Sequence, residues 1–311
     1  MAPASAPSPA LPAPALAVER RDVGTKTARV RLAYAGSGAP TVLIHDVLQS
    51  HLAWTDVMGP LAERLQVVAL DLPGAGESEK PSLARFAYDF RAFGEVVADV
   101  IAALGLGRVS LVGHGLGAAV ALACAAAHPA LVDKLVLVAP SVYEHGRVAP
   151  LDRLAKVPLF GPMALKQLVG LSEFRRYFRD YVYADDAPIA PGVVEAHFER
   201  FGSPAGREAT YATLRATRDK RSVVALLPRV RQETLVVTGR LDRLVAASDG
   251  RRLVRELGAA RLVALDCGHS PPEEAPAALT SAVLDFLAPP LPPPKRASER
   301  GSPATRGGGR R

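Results

Sequence analysis

The sequence predicts an α/β protein: a mainly parallel sheet flanked by helices on both faces, with a helical cap inserted between two strands. Three observations point there. Short β-branched apolar runs recur along the chain, as strands buried on both faces require. Segments of helical period separate most of them, and strands alternating with helices imply parallel pairing. From residue 141 to about 221 the rhythm stops, and only helical patterns remain.

The elements follow in order. Residues 27–34 alternate like an edge strand. Buried-strand runs follow at 41–45 (TVLIH), 66–71 (QVVALD), 108–112 (RVSLV), 134–138 (KLVLV), 234–238 (TLVVT) and 261–265 (RLVAL). A helix is expected over 85–104, where Phe86, Phe90, Phe93, Val97, Val100 and Ile101 fall at helical spacing before Gly105. Residues 116–127 form a helix of small side chains, and 246–257 and 273–287 are amphipathic. Within the insertion, helices are expected near 152–169, 173–183, 192–201 and 206–218. An insertion at this point lies over the C-terminal ends of the strands, where open α/β sheets bind ligands. The resulting division is a disordered Ala/Pro-rich tail (1–22), a core (23–140 and 222–288), a cap (141–221) and a disordered basic tail (289–311).

Composition narrows the function. With 49% hydrophobic and 22% charged residues, the 311-residue chain can bury a sizeable core. The net charge of +7 suggests an acidic partner until it is located. Lys295, Arg296, Arg300, Arg306, Arg310 and Arg311 against Glu299 give the last 23 residues +5, leaving +2 for the other 288. A basic tail without interleaved aromatics is weak evidence for nucleic acid, so no nucleic-acid partner is expected. Two cysteines, Cys124 and Cys267, make neither a disulfide framework nor a four-ligand zinc site; both are expected in the core, and no metal or cofactor is expected. No apolar run reaches the length of a membrane span. The amino terminus lacks the basic start of a secretion signal, which makes cytoplasmic the default expectation.

Five patterns then fall in one order. LIHDVLQSHLAW places His45 at a strand end, and DLPGAGESEKP follows the next strand. VGHGLG forms a strand-to-helix turn at 112–117. VVTGRLD places Asp242 after a strand, and LDCGHSPPEEAP places His269 after the last one. In combination these resemble the α/β-hydrolase fold family, of the capped subgroup with haloalkane dehalogenases, epoxide hydrolases and C–C bond hydrolases, from about residue 23 to 288. The resemblance implies a Gly-x-Ser-x-Gly turn with a nucleophile at its centre. Here Gly113 and Gly117 flank Gly115, which offers no hydroxyl, thiol or carboxylate, so no covalent intermediate can form on it. The family's His-Gly pair after the third strand reads His45-Asp46. Asp46 is expected to tolerate the positive φ that glycine adopts there, with Val47 and Leu116 N–H groups still converging on the site and the carboxylate repelling an oxyanion. These two departures count as independent arguments against ordinary esterase activity.

Asp242 is expected to orient His269 and favour its charged form. Each residue by itself fits a capping or bridging role equally well. Other candidates carry bland readings beside the sharp ones. Asp46 is a carboxylate near the chemistry but suits loop capping or solvent; His114 suits packing beside the turn. Cys267 suits a buried thiol, and Ser270, Ser141 and Ser110 suit turns or strands. Leu52 and Trp54 are expected to pack the helix after the Asp46 loop. The cap cluster Phe174, Arg175, Arg176, Tyr177, Phe178, Arg179, Tyr181 and Tyr183 either lines a pocket or forms an amphipathic helix with a solvated basic face. Gly113-x-Gly115-x-x-Ala118 also fits a dinucleotide fingerprint. Two strand–helix units precede it, however, and Ala139-Pro140-Ser141 follows the next strand where an acidic ribose ligand belongs.

The expected function is a degenerate, nucleophile-less hydrolase that binds a small, largely apolar molecule in a capped pocket. The alternative is a non-covalent hydrolase, lyase or cofactor-free oxygenase in which Asp242 and His269 act as an acid/base dyad and the space at Gly115 holds water or substrate.

Overall fold

The structure is a computed structural model that describes residues 18–144 and 169–288. The 1–17 and 289–311 parts of the expected tails, and the expected helix at 152–169 apart from Val169, lie outside those residues.

Eight strands form one sheet: β1 (Glu19–Gly24), β2 (Arg29–Ala35), β3 (Ala39–Ile44), β4 (Leu65–Leu70), β5 (Val109–His114), β6 (Val132–Val138), β7 (Glu233–Gly239) and β8 (Ala260–Leu265). Their spatial order is β1-β2-β4-β3-β5-β6-β7-β8. The β1–β2 and β2–β4 pairs are antiparallel and all later pairs are parallel. β3, β5 and β6 stand in the middle with their Val, Leu and Ile side chains fully buried, which explains the near-continuous Val/Leu/Ile runs.

Helices cover both faces. On one side lie α2 (Phe90–Ala103), α3 (Leu116–Ala127) and α7 (Ala247–Leu257); on the other lie α1 (Thr55–Ala62) and α8 (Pro276–Leu287). The small side chains of α3 let it sit directly on the central strands. A Cβ on Gly117 would collide with the Ile44 carbonyl, and one on Gly113 with the Gly117 carbonyl. Close approach therefore requires both glycines.

Three elements differ from expectation. β2 is not the edge, because β1 pairs along its outer side and residues 19–22 belong to the sheet rather than to a tail. Glu19, Arg20, Arg21 and Asp22 carry no apolar alternation; the ladder and the Arg31–Asp22 ion pair hold the strand instead. α2 begins at Phe90, where the Asp89 carboxylate caps Ala92 N–H at 2.8 Å. Phe86 and Tyr88 pack into the same core from the loop before it, so the four-residue spacing of Phe86 and Phe90 mimics a helix without being one. The helix expected over 273–287 is two: a single turn at Pro271–Glu274, then α8. Pro276, which has no N–H to continue the ladder, opens the second.

The described cap comprises α4 (Leu171–Tyr177), a wider π turn (Phe178–Val182), α5 (Val193–Phe201) and α6 (Pro204–Ala216). Phe174, Phe178, Phe201 and Tyr211 build its own small core, which reaches Leu48 of the main body. Arg175 and Arg179 face outward and pair with Glu195 and Asp180. The aromatic face thus turns inward and the basic face is solvated.

Candidate functional site

The site lies where the C-terminal ends of β3, β5, β7 and β8 deliver Asp46, Gly115, Asp242 and His269. Gly115 forms the turn between β5 and α3 at φ +52°, a left-handed conformation that side chains strain to adopt. Its N–H donates to the Val138 carbonyl at 2.9 Å, and its own carbonyl accepts from Ser141 N–H at 3.2 Å. The turn is pinned to the neighbouring strand.

The volume that a side chain on Gly115 would fill is not empty. A Cβ built there would overlap the Asp46 Cγ and both carboxylate oxygens, all well inside 3.0 Å. Asp46 is only 7% exposed. Its Oδ1 accepts the Leu116 N–H at 2.6 Å, and its Oδ2 accepts from His269 Nε2 at 3.0 Å. The loop-capping or solvated role expected for Asp46 is therefore corrected. The carboxylate reaches across from another strand end because residue 115 leaves it room. Nor does Asp46 take the positive φ; Leu48 does, at +65°. The departures at 46 and 115 are one coupled arrangement, not two independent ones, and no space remains at Gly115 for water or substrate.

His269 closes the chain of contacts. Its Nδ1 donates to Asp242 Oδ2 at 2.8 Å while Nε2 donates to Asp46 Oδ2, so both ring nitrogens carry protons and the ring is an imidazolium. Burial opposes that charge, but Asp242 and Asp46 outweigh it and push the imidazole up to about 10. Burial likewise opposes ionisation of Asp46, yet the hydrogen bond from His269, the charge on that ring and the Leu116 N–H hold the carboxyl well below its usual range. Asp242 is fixed in turn, its Oδ1 accepting from Leu244 and Val245 N–H at 2.8 Å each.

The remaining candidates divide. His45 does not face the site: its Nδ1 donates to the Asp46 carbonyl at 2.6 Å and its Nε2 accepts Leu72 N–H at 3.0 Å, a neutral ring that ties the β3 and β4 loops. His114 lies beneath His269 between two acceptors, the His269 carbonyl at 2.7 Å and Gln49 Oε1 at 3.0 Å. Burial pushes its proton affinity down, and a neutral ring donates to the nearer carbonyl alone. Val47 lines the cavity described below. Trp54 is buried edge-on to His114, and Leu52 sits one turn earlier, ahead of α1. Burial raises the thiols of Cys124 and Cys267 to about 12, which leaves neither a nucleophile.

Sequence reasoning missed a second buried network. The Glu273 carboxylate receives Gln49 Nε2, Tyr183 Oη, Ser270 Oγ and His197 Nε2, all within 3.0 Å. Glu274 receives the N–H groups of Gly268, Ser270 and Ala184. His269 N–H donates to the Val182 carbonyl at 2.7 Å. Tyr183, Ala184, Val182 and His197 belong to the cap, so the His269 loop is bolted to it. The only signal in the sequence was the acidic pair in PPEEAP. Glu273→Ala leaves four buried groups without their common acceptor, and we expect a loss of about 3 kcal/mol in urea unfolding, with faster amide exchange at 182–184 than at β5.

A cavity of about 90 Å³ opens beside this cluster, lined by Asp46 and His269 with Tyr177, Phe178, Val182 and Leu244 among its walls. None of its described lining residues is Lys or Arg. Asp46, His114 and His269 each bring one ligand atom within 4.8 Å of the others, a three-donor set by distance. An imidazolium has no lone pair to give, however, so a cation would first have to displace the proton that two carboxylates hold on His269. The Leu116 N–H at the start of α3, which a dinucleotide phosphate would need, is already taken by the Asp46 carboxylate. That argues further against the dinucleotide fingerprint at the glycine turn.

Comparison with known proteins agrees with this fold. The chain is 38% identical over 126 residues to a protein of Mycobacterium tuberculosis, a match spanning 36% of that protein's length. It is 30% identical over 276 residues to the 2-hydroxymuconate semialdehyde hydrolase of Pseudomonas sp. strain CF600, covering 86% of this chain and 93% of the relative. The crystal structure of a hydrolase from Pseudomonas aeruginosa PA01 superposes with a TM-score of 0.73 at 25% identity, over 86% of this chain and 98% of the other. A family model for the α/β hydrolase fold matches residues 40–276. With its strand order, its cap and its loop cluster at the C-terminal strand ends, the chain belongs to the α/β-hydrolase fold family.

Proposed function

We propose that this chain is degenerate as an acyl-transfer hydrolase and binds a small, largely apolar molecule under its cap. The observation that carries the reading is the Asp46 carboxylate lodged in the side-chain space of Gly115 and on the Leu116 N–H. Residue 115 supplies no nucleophile. The donor that would stabilise a developing oxyanion is occupied by a fixed negative charge. The Asp242–His269 dyad is a poor general base, because its imidazole is already protonated and held so by two carboxylates. The alternative of non-covalent base catalysis therefore loses support. The apolar walls Val47, Phe178, Val182 and Val245 favour an uncharged ligand, and with no Lys or Arg in the described lining the one cation there is His269, already held between two carboxylates. A cytoplasmic location is the setting we assign to it.

A panel of short p-nitrophenyl esters tests the proposal. Hydrolysis is expected at background, with no rapid release of p-nitrophenol equal to the protein concentration. A stoichiometric burst would refute the reading.

A further inference from the structure

A second cavity lies away from the Asp46 cluster, and a half-buried lysine stands in its wall. We propose that Lys80 captures small, largely apolar aldehydes as imines in the cavity between the loop before α2 and the cap helix α6. The inference goes beyond the reading above and does not rest on it.

Position comes first. The cavity measures about 190 Å³ and is walled by Lys80, Pro81 and Tyr88 on one side and by Ala205, Ala209 and Ala212 of α6 on the other. An apolar cavity of about 150 Å³ holds benzene, so a four-carbon aldehyde fits here. Lys80 Nζ donates to the Gly76 carbonyl at 2.9 Å and to the Ser78 carbonyl at 3.1 Å. Neither Gly76 nor Ser78 is a cavity wall, whereas Lys80 is. Two of the three outward positions on the nitrogen are therefore fixed, and the third is left for the cavity. In the neutral amine both N–H groups stay on the carbonyls, and that third position is the lone pair.

Surroundings then favour the neutral amine. Burial pushes the Lys80 ammonium below the usual lysine range; Asp71 and Glu77 oppose the shift and Arg29 assists it. Lys26 has the opposite setting, its ammonium held charged by Asp99 at 2.8 Å. Tyr88 donates its hydroxyl to the Pro81 carbonyl at 2.6 Å and is pushed up to about 12, so it stays neutral.

Chemistry selects the aldehyde. An amine attacking an ester must expel an alkoxide, whereas an aldehyde gives up only water. The Lys80 ammonium first releases a proton to solvent. Its lone pair forms a bond to the carbonyl carbon, the carbonyl electron pair moves to oxygen, and that oxygen gains the proton that nitrogen sheds. The nitrogen pair then forms the C=N bond as the hydroxyl takes a proton from solvent and leaves as water. The product iminium keeps one N–H, so one of the two carbonyl hydrogen bonds is given up. Addition of water reverses the sequence and restores Lys80.

The test treats full-length protein with butanal and sodium cyanoborohydride at neutral pH, and follows each lysine by peptide mass spectrometry. The reductant converts the imine into a stable secondary amine. The Lys26 side chain is 81% exposed, so accessibility by itself would put it ahead. The proposal expects Lys80 to gain a butyl group at least about 10-fold faster than Lys26. Labelling of Lys80 no faster than that of Lys26 overturns it. Ala205 is an exposed wall residue, and Ala205→Phe crowds the cavity without entering the core. That variant is expected to slow labelling at Lys80 and to leave Lys26 unchanged. An unchanged rate at Lys80 would mean that the cavity does not hold the aldehyde, and overturns the proposal as well.

Discussion

Asp46→Gly combined with Gly115→Ser is expected to create an esterase, while Gly115→Ser alone is not. In the single variant the new Cβ would lie inside the Asp46 carboxylate, at a φ of +52° that serine adopts only with strain. Overpacking and the left-handed backbone together should cost about 2–4 kcal/mol, and Asp46, even if displaced, would still crowd the Leu116 N–H. Removing the carboxylate changes both terms. The serine gains the vacated volume, His269 loses one of its two carboxylates and becomes easier to deprotonate, and the Leu116 N–H is free for an oxyanion. A donor of that kind contributes about 10²–10³ in rate, so p-nitrophenyl acetate hydrolysis should rise at least about 10²-fold with an acyl burst. Stopped-flow absorbance decides it. A folded double variant without a burst would mean that more of the machinery is gone than residues 46 and 115.

Thermal stability is expected to peak near pH 6.5 and to fall from there towards pH 10. A group whose proton affinity is raised by folding stabilises fully below its unfolded value and loses that contribution as pH climbs through its folded value. For His269 those limits are about 6.5 and about 10, a ceiling of ~5 kcal/mol at one pH unit per 1.36 kcal/mol. His45 and His114 act on the other side. Burial lowers both, so they are neutral when folded and protonated in the acid-unfolded chain, and stability rises as pH approaches 6.5. Asp46, depressed in the folded state, adds a further loss once pH drops through its unfolded value. Above about pH 9 the buried thiols of Cys124 and Cys267 contribute to the alkaline fall with the same sign, which leaves 6.5–9 as the window that reports His269. Melting curves across pH 5–10 measure this. Asp46→Asn should move the descending limb to lower pH, because one of the two carboxylates holding the proton is gone. A flat profile between 6.5 and 9 would rule out the buried imidazolium.

Much of the fold was legible in the sequence for local reasons. The runs that became β3 to β7 are apolar and β-branched because those strands are covered on both faces, whereas the equally apolar run of β8 forms a half-buried edge strand. α3 was legible to the residue, since a stretch of small side chains flanked by a glycine turn has one good conformation. β1 was not, because an exposed edge strand needs no apolar pattern and its stability comes from the partner strand. The false start of α2 has the opposite cause: Phe86 and Tyr88 are core residues on a loop, and burial by itself does not distinguish loop from helix. Glu273 and His197 were invisible because each is an ordinary polar residue until the cap folds down and removes water from both.

Taken by itself, the sequence determined the sheet, the existence of a cap, the loops that carry Asp242 and His269, and the absence of any nucleophile at Gly115. It also placed most of the +7 charge in the last 23 residues, away from the site. Only the tertiary structure decided what stands in the glycine's place. A missing side chain leaves a volume, and what fills a volume depends on which neighbour can reach it in a low-energy geometry with its polar atoms satisfied. Asp46 is 69 residues from Gly115 along the chain. The parallel pairing of β3 with β5 brings their ends together, and the Leu116 N–H and His269 then satisfy the carboxylate that enters.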